Sequence, residues 1–78
     1  MDIILMYIVL SVNNTEKIKI NEKVIFESVN QCSEYVFNNP QDINNSITKH
    51  MNGQRFLMKE IGCINMNTEE KTPLKNQS

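Results

Sequence analysis

Glycine occurs only at positions 53 and 62 of this chain, and alanine and tryptophan are missing altogether. Two isolated glycines build no phosphate-cradling loop. His50 is the lone histidine. Ser28, Ser33 and Ser46 therefore lack a histidine–acid arrangement, and no short cysteine pair accompanies His50 to form a metal site. The Glu69-Glu70 pair lies in a polar stretch and reads as solvated charge. These absences point away from enzymatic function, and neither a cofactor nor a metal is expected. Excess basic charge is missing too: eight Lys and Arg stand against nine Asp and Glu, for a net charge of −1. Nonspecific grip on nucleic acid or anionic membrane relies on basic patches. From Ser28 to Met66 the balance is even, with Glu34, Asp42 and Glu60 against Lys49, Arg55 and Lys59. No long apolar run occurs either. Ile3 to Val12 falls short of the roughly 20 residues that a bilayer requires. It also follows Asp2 instead of a basic segment and precedes Asn13-Asn14 instead of a small-residue cleavage pattern, so neither membrane insertion nor a signal peptide is expected.

Ile, Asn and Lys are heavily used, a habit of A/T-rich genomes that hints at a low-GC bacterium, its phage or another mobile element. At 78 residues the chain forms one domain at most, and a domain near this size buries only about 60% of its unfolded surface. Its stability is modest or shared with a partner, and a homodimer is one way to share it. Cys32 and Cys63 fall at apolar positions of a helix and a strand. They read as core thiols in a reducing bacterial cytosol, with a disulfide between them as the alternative.

Ile3 to Val12, rich in Ile and Val, has the pattern of a strand buried on both faces. After an Asn13-Asn14-Thr15 turn, Lys17-Ile18-Lys19-Ile20 alternates as a half-buried strand does. Residues 23–27 form a second β-prone run, and the two are expected to pair as a hairpin around Asn21-Glu22. Ser28 opens a capping box with Gln31. The helix that follows, over residues 28–38, carries Val29, Cys32 and Val36 on one face, flanked by Tyr35 and Phe37. These two aromatics pack into the core or form an exposed aromatic contact. Asn38-Asn39-Pro40 ends the helix and starts the next: Pro suits the first helical position, Asn39 can cap, and Asp42 complements the positive N-terminus. Ile43, Ile47 and Met51 fix one side of a helix over 40–51 inward, and Asn52-Gly53 stops it. A final strand region follows over 55–64, with Gly62 as a bulge or close-packing point. The expected domain covers 1–66, and 67–78 reads as a flexible polar tail.

The stretch Phe26-Glu27-Ser28-Val29-Asn30-Gln31-Cys32, followed by Ile43, Ile47 and Met51-Asn52-Gly53-Gln54-Arg55, resembles the nuclease-associated modular DNA-binding domain of phage and intron homing endonucleases. The resemblance covers about half the chain, from residue 24 to about 64. It implies a strand leading into a serine-started helix, a second helix that reads DNA, and a short strand after a glycine and a basic residue. Cys32-Ser33 stands where that family has small alanine-like residues, no aromatic closes the last strand, and the basic residues shrink to Lys49 and Arg55. The 78 residues include no endonuclease domain.

The expected fold is α+β, a small antiparallel sheet in the order β-β-β-α-α-β with two helices on one face in helix-turn-helix fashion. Away from Ile43 and Ile47, the second helix presents Gln41, Asn44, Asn45, Thr48 and Lys49, with Arg55 just beyond. This amide-rich set is the expected partner-binding surface, although asparagine is abundant throughout the chain and the set also fits a merely solvated face. The favoured reading is a small cytoplasmic binding protein that docks on a host protein or nucleoprotein complex and inhibits it, as anti-CRISPR-like inhibitors of defence nucleases do. The alternative is a helix-turn-helix DNA reader, repressor-like or accessory. Helix 40–51 would then enter the major groove, where Asn or Gln bonds adenine, and Lys17, Lys19 and Lys23 would help to hold the phosphates.

Overall fold

A computed structural model describes residues 2–74. The chain runs β1 (Ile4–Val12), β2 (Thr15–Phe26), α1 (Val29–Asn38), α2 (Pro40–Met51), β3 (Leu57–Asn65) and β4 (Glu70–Pro73). The strands form one antiparallel sheet in the order β2-β1-β3-β4. The α+β class and the coverage of one sheet face by two helices are as expected.

β1 lies in the interior of the sheet because its sequence is apolar at nearly every position. Successive side chains of a strand point to opposite faces. Ile4, Met6, Ile8 and Leu10 thus join Phe26, Cys63 and the buried helix residues Cys32, Val36, Ile43 and Ile47 in the main core. Leu5 and Tyr7 pack with Ile64 on the other face. The strand is buried on both sides, as its composition predicts.

The expected hairpin around Asn21-Glu22 does not form. The turn lies at Asn13-Asn14, both in the left-handed region at φ 53° and 65°, a conformation that asparagine tolerates and that matches the twist of a two-residue hairpin. Residues 15–26 then form a single strand against β1. Asn21 instead marks a bulge: its Oδ1 accepts from the Lys23 N–H at 2.9 Å. The register moves from Met6↔Asn21 to Ile4↔Phe26, so β2 gains residues on β1 there.

Ser28 caps α1 as expected, its hydroxyl accepting from the Gln31 N–H at 3.2 Å. The Gln31 side chain, however, accepts from Glu27 N–H. Asn39 makes no side-chain cap on α2. Its Nδ2 and its backbone N–H both donate to the Tyr35 carbonyl, satisfying the end of α1. Pro40 occupies the start of α2, and Asn52 (φ 53°) with Gly53 (φ 84°) ends it in left-handed geometry.

Two further expectations change. The stretch read as a polar tail contributes β4. Asn65 Oδ1 accepts from the N–H groups of Asn67 and Thr68, while Met66 N–H donates to the Ile3 carbonyl at 2.8 Å. This side-chain-built turn returns the chain along β3; residues 75–78 lie outside the described residues. The cysteines are not free thiols either. Cys32 on α1 and Cys63 on β3 are fully buried and joined, with S–S 2.12 Å and Cα–Cα 6.2 Å, because the inward positions of the helix and the strand face each other across the core.

Ile47 is 8% exposed, so Ile47→Ala should cost about 2–5 kcal/mol in denaturant unfolding; a stability near that of the parent would place α2 the other way round. The bridge closes a span of 31 residues, and loop-closure entropy sets its contribution at about 3–4 kcal/mol. Unfolding curves with and without reductant should differ by that order. Alkylation of the denatured, unreduced protein should find no free thiol.

Candidate binding surface

Gln41, Asn44, Asn45, Thr48 and Lys49 are all exposed on α2, because Ile43 and Ile47 are held in the core on the opposite side. They form one amide-rich face. Thr48 Oγ1 donates to the Asn44 carbonyl at 2.9 Å. That hydroxyl proton is committed within the helix, so the Asn and Gln amides are the main free donors and acceptors. The structure does not bring Arg55 to this face. It lies in the connection to β3, where it shares a shallow hollow with Ser11, Asn13, Asn14 and Leu57.

Two of the β2 lysines, Lys19 and Lys23, share a cleft with α2 residues. A cleft of about 240 Å³ opens between β2 and α2, with Lys19, Asn21 and Lys23 on one rim and Asp42, Ser46 and His50 on the other. Its floor is the apolar core, including Ile8 and Ile43. Lys17 and Lys19 oppose Leu10 and Ile8 across the β1–β2 ladder, so they lie on the helix-covered face. Ile18 and Ile20 fall on the open one. The apolar–polar alternation told which residues share a face but not which face the helices cover.

A second, larger groove of about 640 Å³ runs between the α1–α2 junction and the β3–β4 end of the sheet, lined by Phe37, Pro40, Ile43, Met58 and Leu74 among others. The two α1 aromatics divide here. Tyr35 packs against Phe26 with ring centroids 5.5 Å apart, whereas Phe37 is 48% exposed. The spacing alone could not separate them, since they flank the core stripe on either side.

On the open face, the fully buried Tyr7 donates its hydroxyl to Glu60 Oε2 at 2.6 Å. Gly62 lies opposite Tyr7 on β3, and a β-carbon there would lie 2.7 Å from Tyr7 Cε1 and would also meet the Thr72 carbonyl. Only glycine leaves the ring its path across β3 to Glu60. Lys71 Nζ lies 6.0 Å from the ring centroid. Burial, then the hydrogen bond to Glu60 and that carboxylate's charge, push the Tyr7 hydroxyl well above its ordinary value near 10. It therefore stays a protonated donor to Glu60 at neutral pH. No local pattern marks this group, because Tyr7 and Glu60 are brought together by strand pairing alone.

Among the described residues, no group of three or more His, Cys, Asp or Glu side chains is placed to hold a metal ion. No helix there is long and apolar enough to cross a membrane. Comparisons of the chain with family models, curated proteins and solved structures return no match.

Because the folded value of Tyr7 is raised, its contribution to stability is complete below the unfolded value, about 10. It is lost as pH climbs above that toward the folded value. Denaturant midpoints of the parent should therefore fall between pH 9 and pH 11, by the sign of that shift. Tyr7→Phe should show a shallower fall over the same range, and equal slopes would remove the coupling from Tyr7.

Proposed function

We propose that the chain is a small non-catalytic binding protein that docks on another protein through the outward face of α2. The reading is carried by one observation: Gln41, Asn44, Asn45, Thr48 and Lys49 are all exposed on a helix whose opposite side is anchored by Ile43 and Ile47. Such a face offers many amide hydrogen bonds at low net charge, which suits a protein surface better than a phosphate backbone. Docking there blocks or redirects the partner, a host protein.

The separation of Arg55 from this face weighs further against a DNA reader with a helix-turn-helix geometry, since it removes a cation from the second helix. Asp42 on the rim beside Lys19 and Lys23 acts in the same direction. The buried bridge alters the expected place of action: disulfides persist in oxidising compartments and are rare in a reducing cytosol. An oxidising compartment is therefore favoured over the host cytosol.

A pull-down with the tagged protein, with and without nuclease and across a salt series, tests the reading. One nuclease-resistant protein partner should be retained, and Asn44→Ala with Thr48→Ala should abolish its capture while leaving the unfolding midpoint nearly unchanged. Undiminished capture by the double variant would remove α2 from the interface. Recovery of DNA alone, lost steeply as salt rises, would make α2 a DNA reader.

A further inference from the structure

The two edges of the sheet differ. β4 is four residues long and ends in Pro73, which has no N–H to offer, so that edge is blunted. β2 is the opposite edge, and its pairing with β1 is regular from Thr15 to Asn21. Over that span alternate backbone N–H and C=O groups point away from β1 toward solvent, a ready template for another strand.

The side chains along this edge are sorted by face. Lys17 and Lys19 lie on the helix-covered side, opposite Leu10 and Ile8. Ile18 and Ile20 lie on the open side, opposite Val9 and Tyr7, and Ile18 is 46% exposed. A second copy of the chain is a poor occupant. In an antiparallel pair, residues directly opposite each other share a face. A two-fold axis through Ile18 would set Lys17 against Lys19 of the copy, and an axis through Lys19 would set that residue against itself. Like charges so placed repel.

We propose that the outer edge of β2 accepts an extended segment of a partner protein in which acidic and apolar residues alternate, added as a fifth strand. Its carboxylates face Lys17 and Lys19 on the helix side, beside the cleft that Lys19 and Lys23 rim. Its apolar side chains cover Ile18 and extend the cluster of Leu5, Tyr7 and Ile64. Glu16 opposes Ser11 on the open side, so the partner residue facing it is neutral or basic. The edge is a surface separate from the α2 face, and its test is read at different residues.

The test uses the ¹⁵N-labelled full chain titrated with a short blocked peptide of alternating Glu and Val, and with the matching peptide of alternating Lys and Val. The acidic peptide should give saturable amide shifts centred on residues 15–21, and the basic one none. Lys17→Glu with Lys19→Glu should weaken the acidic peptide by about tenfold or more, as expected when two attractive cross-strand pairs become repulsive, and should admit the basic one. Lys17→Gln with Lys19→Gln should weaken the acidic peptide less; both side chains being exposed, the unfolding midpoint serves as the control for folding. Equal binding of the two peptides, shifts centred on α2, or no saturation would each overturn the proposal. Sedimentation showing a dimer whose interface is β2 would give the edge to a second copy instead.

Discussion

β1 has almost no solvent side, and the remaining elements are arranged by the need to cover it. A strand whose consecutive residues are apolar must bury both faces and both edges. β2 and β3 pair with the two edges. The helices cover Ile4, Met6, Ile8 and Leu10. Leu5 and Tyr7 have no helix over them and rely on neighbouring strands. The helix-covered core is large enough to be built from aliphatic packing, whereas the open face needs a specific device. Tyr7 supplies it by crossing Gly62 to reach Glu60, so that one large ring fills the space that a layer of side chains fills elsewhere.

That device also explains why an open face this apolar coexists with a buried tyrosine. A buried hydroxyl without a partner carries a substantial desolvation penalty, and a hydrogen bond to a charged acceptor offsets it. Glu60 is half-buried and reaches Tyr7 because both lie on the open face, two residue pairs apart along the β1–β3 ladder. Gly62 is the complementary requirement, a missing side chain under the ring. The sequence marked Gly62 as a close-packing point without naming what packs there, because the partner is 55 positions away in the chain and is found only through strand register.

Local signals were legible to within a residue or two, and long-range ones were not. The serine start of α1, Pro40 at the start of α2 and the Asn52-Gly53 stop each depend on backbone geometry over a single turn, and the helix bounds follow from them. The exposure of Gln41, Asn44, Asn45, Thr48 and Lys49 was legible for the same reason, since the 3.6-residue period of Ile43 and Ile47 determines what points outward on α2. The position of Arg55 relative to that face was not legible, because it follows the helix stop, where periodicity no longer applies. The continuous β2 was misread because Asn21-Glu22 carries turn chemistry, and a bulge uses the same chemistry as a hairpin. β4 was missed because a short, charged edge strand has neither apolar alternation nor β-branched density, and its turn is assembled by the side chain of Asn65.

The disulfide ties these elements into an order of dependence. α1 is joined covalently to β3 through Cys32 and Cys63, so its position on the sheet is fixed by a bond as well as by packing. α2 has no such tie. It follows α1 after the single residue Asn39, whose backbone and side chain are both spent on the end of α1, and it reaches the core through Ile43 and Ile47 alone among its fully buried side chains. Two aliphatic anchors hold one helix less firmly than a covalent bond backed by Val36 holds the other. The placement of the amide-rich face therefore depends on α1, and through α1 on the bridge.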